Sequence, residues 1–251
     1  MTVALDRHVP LLGGFNGAVI GLEIRRMLRN RRTLLLSMVI PTVFFLAFGS
    51  IPGSGSGASV LVSMAVYGAV LATTSGGAMV SIERAAGWSR QLRTTPLAPA
   101  AYIAVKMATS VVLSAAAVGV VYLVAAATGK AAMPVWMWIV TGVAAWLGSL
   151  LFTAFGLFVG YLMPSENVMQ VIAFVLMLFS FAGGLLLPLS LFSPALRTAA
   201  SFTPMWGLNG LVHYPLAGGS FNWLWVANLA AWLVVFTAGA AWRFSKDTAR
   251  V

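Results

Sequence analysis

Long apolar stretches follow one another along this chain, separated by short polar or Pro/Gly-rich connections. A helix needs about 20 mainly apolar residues to cross a bilayer. Six stretches are predicted to do so: residues 33–50, 58–82, 101–128, 134–161, 167–191 and 221–242. Each is too long and too continuous for a soluble core helix. The first follows a long basic segment and runs on to full span length, so it is read as a span and not as a cleaved signal. Lys106 stands near the start of the third, where its stem is expected to snorkel to the membrane surface. The fold class that follows is an all-α integral membrane domain over residues 1–251.

Three segments depart from the simple span pattern. In residues 16–32, Ile20, Ile24, Met27 and Leu28 share one helical face, while Arg25, Arg26, Arg29 and Arg32 fall mostly on the other. Glu23 and Arg31 do not obey that split. The pattern predicts an amphipathic basic helix lying in the membrane interface before the first span. Residues 82–99 form a connection longer than two antiparallel spans need. They are predicted to form a helix presenting Glu83, Arg84, Trp88, Arg90 and Arg93 to a partner, Trp and Arg being common interface anchors. Residues 192–220 are moderately apolar but broken by Pro194, Pro204, Pro215 and the Gly218-Gly219 pair. A pair of short re-entrant or outer helices fits there, with Arg197 and His213 near the outer face.

Composition sharpens this picture. The chain is 60% hydrophobic and 8% charged, with a mean hydropathy of +0.94, which excludes an ordinary soluble domain and a disordered one. Its net charge of +10 comes from 15 Lys+Arg against 5 Asp+Glu. In so apolar a chain the excess marks basic loops at the inner leaflet, not a nucleic-acid partner. The basic residues gather before the first span, between the second and third, and after the sixth, with Lys130 and Arg197 alone on the other side. Both termini are therefore expected in the cytoplasm. Trp136, Trp138, Trp223, Trp225 and Trp242 sit at span ends, as an aromatic belt requires. Arg outnumbers Lys, and Ala and Gly are abundant, which fits a GC-rich bacterial source and its cytoplasmic membrane.

Catalytic chemistry is missing from the sequence. There is no cysteine, and His8 and His213 are far apart, so no zinc-type ligand set is expected. No G-x-x-x-x-G-K-S/T phosphate loop occurs, so the chain is not expected to hydrolyse ATP itself. The spans carry almost no acids, which argues against an ion-coupled carrier. They do carry small and hydroxylated residues: Thr73, Thr74, Ser75, Gly76 and Gly77, then Ser149, Thr153, Gly156 and Gly160. Such residues usually serve close helix packing. Phe44, Phe45, Tyr67, Thr73, Thr74, Phe174, Met177, Phe179 and Phe181 are the candidates to line an apolar path.

The order of these parts resembles the membrane subunit of ABC-2 type ABC transporters, the class that includes daunorubicin-type drug exporters. The local likeness is carried by Glu83-Arg84-Ala-Ala-Gly-Trp-Ser-Arg-Gln-Leu-Arg-Thr-Thr-Pro-Leu, by Gly184-Leu-Leu-Leu-Pro188 and by Pro204-Met-Trp206. The resemblance covers almost the whole chain. It implies a permease exporting a hydrophobic or amphipathic compound, paired with a second copy or a paralogue. Two copies of a separate ATP-binding cassette subunit would hold the ATP and Mg, and this chain would carry no cofactor. It also implies that residues 16–32 are the elbow helix, that residues 83–99 seat on the ATPase as a coupling helix, and that spans two and five enclose the substrate path. A non-transporting membrane scaffold and a permease for polysaccharide are the competing readings.

Overall fold

The computed structural model describes residues 17–51, 56–87 and 99–248. Every regular element in them is helical. Helix α1 is Gly17–Leu28 and α2 is Arg31–Leu34. A π-turn at Leu35–Val39 leads into α3, Ile40–Phe48. Then come α4 (Gly57–Ala85), α5 (Pro99–Thr128), α6 (Val135–Gly148), α7 (Leu151–Leu162) and α8 (Val168–Ala182). The chain closes with α9 (Pro194–Ala200), α10 (Pro204–Ala217) and α11 (Trp223–Thr248).

Among the described residues, four segments are long and apolar enough to cross a membrane: Gly57–Ala85, Tyr102–Thr128, Val135–Leu162 and Trp223–Phe244. The other two expected spans are shorter helices, Leu35–Phe48 and Val168–Ala182. At about 1.5 Å per residue, a 15-residue helix such as α8 reaches only about 22 Å of the roughly 30 Å apolar layer. The expectation for residues 167–191 fails at the Gly183-Gly184 pair. Gly184 has φ +82°. A Cβ on Gly183 would lie 2.6 Å from Met205 Cβ and 2.7 Å from the Trp206 amide nitrogen. The chain turns out of the helix there because α10 packs directly on its backbone.

Helix α4 is the axis of the bundle, and 83% of its most apolar window is buried inside the protein. Its closest partner is α7. Ideal Cβ atoms on Gly77 and Gly156 would approach the carbonyl oxygens of Thr153 and Thr74 to 2.4 and 2.1 Å. On Gly160 the same atom would lie 3.1 Å from Ala78 Cα. Small side chains let the two backbones touch, and dispersion between backbones replaces a hydrophobic drive that lipid does not supply. Across α4, Gly68 does the same for the π-turn, with Ser37 O 2.4 Å from its would-be Cβ. Between α6 and α7 the backbone breaks at Ser149-Leu150. Ser149 Oγ donates back to Trp146 O at 2.7 Å, and its own carbonyl accepts from Thr73 at 3.0 Å. By contrast, only 11% of the α11 window is buried, and Trp223, Leu224, Leu233 and Val234 face outward.

The segment between α8 and α11 is built by caps and one arginine. Ser193 and Thr203 cap α9 and α10, each followed by a proline at the first helical position. Arg197 Nε donates to Leu189 O and Phe192 O at 2.9 and 3.0 Å, and Nη2 to Ser190 O at 2.8 Å. This guanidinium holds the turn at Leu189–Leu191. The His213 ring links α10 to the start of α4. Its Nδ1 is 3.1 Å from Asn209 O, and its Nε2 is 3.2 Å from Ser63 Oγ. At the same end, Lys130 Nζ donates to Leu46 O at 2.7 Å, tying the loop after α5 to the last turn of α3.

Candidate functional site

The acids Glu23 and Glu83 and the span lysine Lys106 lie far apart in the sequence, and the fold brings them together. Helix α4 runs on through Glu83 and Arg84 to Ala85, so both belong to the span and not to a separate helix. Glu83 is 3% exposed. Lys106 Nζ donates to Glu83 Oε1 at 2.6 Å and also to Glu23 on α1. Arg26 Nη1 donates to the same Glu83 oxygen at 2.7 Å and lies 3.7 Å from Glu23. Tyr102 OH donates to Glu83 Oε2, and the Lys106 ammonium stands 5.4 Å from the centre of the Tyr102 ring. Two acids and two cations thus close into a neutral network that joins α1, α4 and α5.

This geometry revises three expectations. Lys106 does not snorkel; it is 1% exposed. An ammonium at that depth is tolerable only with charged partners, and two carboxylates provide them. Glu83 points inward to Lys106 and is not presented to an external partner. Arg26 is exposed like Arg25 and Arg29, but its guanidinium reaches back to Glu83. The α1 stripe shifts accordingly: Met27 is buried, Ile20 and Ile24 are half-buried, and Leu28 is 49% exposed. Glu23, which broke the amphipathic pattern, is the residue that meets Lys106. The signal for the network was available in the sequence, because a span lysine and an acid on an apolar face each demand a partner.

Arg84 leans the other way along α4. Its Nη1 donates to Tyr161 O at 3.0 Å and its guanidinium carbon lies 5.6 Å from the Tyr161 ring centre. A cation at the last carbonyls of α7 complements the negative end of that helix. Trp88, Arg90 and Arg93 lie outside the described residues, as does the side chain of Arg32. Among the described residues no group of three His, Asp or Glu side chains is placed to hold a metal ion.

The proposed path residues separate into two sets. Phe45, Thr73 and Thr74 are 0% exposed and line no open surface of this chain. The Thr73 hydroxyl lies 3.0 Å from Ala69 O and 3.0 Å from Ser149 O, and Thr74 Oγ1 donates to Val70 O at 2.7 Å. These hydroxyls satisfy themselves on backbone carbonyls, which leaves the α4–α7 seam apolar and tight. Phe44, Phe174, Met177 and Phe181 are open, at 42, 59, 43 and 43% exposure. Tyr67 is half-buried, as is Phe179. Away from the two ends of α4, the residues that keep exposure, Tyr67, Ser75, Met79 and Ile82, share one face of the helix. Thr73→Val is therefore expected to lower stability by about 1 kcal/mol by losing the bond to Ser149. Transport per folded molecule should stay unchanged; a change in transport selectivity would return Thr73 to the path.

Comparison with known proteins places this arrangement. The sequence profile of ABC-2 type transporters matches residues 17–216, from the start of α1 to the end of α10. A Bacillus subtilis (strain 168) protein bearing the name transport permease YvfS is 25% identical over 222 residues. That alignment covers 85% of this chain and 90% of the relative.

Proposed function

This chain belongs to the ABC-2 type transporter family, and we propose that it is the membrane subunit of an ATP-driven exporter for a hydrophobic or amphipathic compound. Family membership implies pairing with an ATP-binding subunit. In this reading two such subunits hold the ATP and Mg, two permease chains assemble in the bacterial cytoplasmic membrane, and both termini are cytoplasmic. Leu35–Phe48 and Val168–Ala182 serve as the remaining two of six spans, their shortness taken up by local thinning of the bilayer. The α9–α10 segment closes the outer side.

The observation that carries this reading is the Glu23–Arg26–Glu83–Lys106 network. It sits where the chain leaves α4 and returns to α5, beside the segment that the family seats on its ATPase. Residues 83–99 then act as the coupling segment, with Trp88, Arg90 and Arg93 toward the ATPase, and with Glu83 and Arg84 locking the segment's root to α5 and α7. A push on that segment moves α1, α4 and α5 as one body, because three elements share one set of ion pairs. Rigid-body motion of this kind converts an inward-open cavity to an outward-open one without chemistry in this chain. The open stripe of α4 with the exposed faces of α3 and α8 supports a substrate path completed by the second copy. Its lining carries Phe44, Tyr67, Phe174, Met177 and Phe181 and no charge, which suits a lipophilic cargo.

The test is co-purification with the ATP-binding subunit, followed by ATPase assay of the complex in nanodiscs. The Trp88→Ala/Arg90→Glu/Arg93→Glu variant is expected to lose about 90% of recovered partner, in line with several anchors of about 1–2 kcal/mol each. Wild-type recovery and wild-type stimulation in that variant would overturn the coupling assignment. For the path, Tyr67→Ala and Phe174→Ala should change the efflux of lipophilic dyes several-fold relative to each other; identical profiles for every dye would remove them from it.

A further inference from the structure

We propose that the outward face of α1 is a binding site for the headgroups of anionic phospholipid. The proposal rests on the reading that α1 lies at the membrane surface. Among the described residues the acids of this region, Glu23 and Glu83, both face Lys106 and Arg26. What remains on the free side is one sign of charge. Arg25 and Arg29, one turn apart, are exposed, and Arg31 continues them at the start of α2. Leu22 and Leu28, at 67% and 49% exposure, flank the arginines on the same side. Leu35 and Leu36 carry that apolar exposure into the following span, at 53% and 48%.

An arc of guanidinium groups set between outward leucines suits only one surface. The leucines enter the boundary between headgroups and acyl chains, and the arginines reach up to phosphodiester oxygens. A water-facing protein partner would satisfy the charges but leave the leucines without cover. The attachment also reaches the coupling machinery, because the same helix carries Arg26 and Glu23, which pair with Glu83 and Lys106. Lipid charge thereby sets how firmly the body of α1, α4 and α5 is held at the membrane surface as it moves.

The experiment uses the permease alone, so that its outcome does not depend on the ATP-binding partner. Purified protein is equilibrated in vesicles of phosphatidylcholine and phosphatidylglycerol, moved to mild detergent, and its retained phosphatidylglycerol is counted by native mass spectrometry. Each basic residue near an anionic surface contributes roughly fivefold, so Arg25→Gln/Arg29→Gln/Arg31→Gln should weaken retention on the order of 100-fold. The triple Arg→Lys variant should retain lipid as wild type does. Equal retention by the wild type and the triple Gln variant would overturn the proposal. So would equal losses in the Lys and Gln variants.

Discussion

Lys106→Met is expected to cost about 3–5 kcal/mol of stability, the range for removing one member of a buried ion pair. Its ammonium is the only cation of the network without solvent contact, at 1% exposure against 44% for the side chain of Arg26. Without it, Glu23 and Glu83 face each other with a single half-exposed guanidinium between them. The penalty belongs to the stranded carboxylates more than to the lost attraction. The double variant Glu83→Gln/Lys106→Met should therefore recover much of the loss, because it leaves Glu23 with Arg26. Thermal unfolding of the three proteins in nanodiscs measures this directly. In complex with the ATP-binding subunit, both variants should uncouple, hydrolysing ATP while transport falls about tenfold, roughly 1.4 kcal/mol of lost coupling. A single variant that melts as wild type and transports as wild type would show that the network neither stabilises nor couples.

Gly156→Ala is expected to remove folded protein almost entirely. Its new methyl would stand 2.1 Å from Thr74 O and 3.0 Å from Thr74 Cα. Both are backbone atoms of the buried helix α4, so no side-chain rotation relieves the overlap. Overpacking of this kind costs about 3 kcal/mol. The same substitution at Gly119 meets nothing within 4 Å and should be neutral or slightly stabilising, since alanine is the better helix former. Gly77→Ala should behave like Gly156→Ala, and Gly160→Ala should fall between the extremes. The yield of monodisperse protein by size-exclusion chromatography ranks the four. Equal yields for Gly156→Ala and Gly119→Ala would mean that the α4–α7 contact is looser than its geometry.

The long helices were legible in the sequence, because hydropathy over about 20 residues reports directly on which segments lipid tolerates. The break at Gly183-Gly184 was visible as composition, but its meaning was not. Only the packing of Met205 and Trp206 against Gly183 shows why α8 must stop. The Thr73-Thr74 pair misled in a similar way. Two adjacent threonines in a span suit a polar-lined path as well as a packed seam, and the choice depends on what stands opposite. Gly156 stands opposite, so the seam prevails.

By itself the sequence determined the class of the molecule: a helical membrane protein with basic connections. Those properties are sums over composition and local period, which no folding partner changes. Tertiary structure decided the site. Glu23, Glu83 and Lys106 are separated by 60 and 23 residues, and nothing local says that they meet. They do so because the α4–α5 pair brings its linked ends side by side and α1 lies across α5. A buried charge can persist only where long-range packing delivers its opposite.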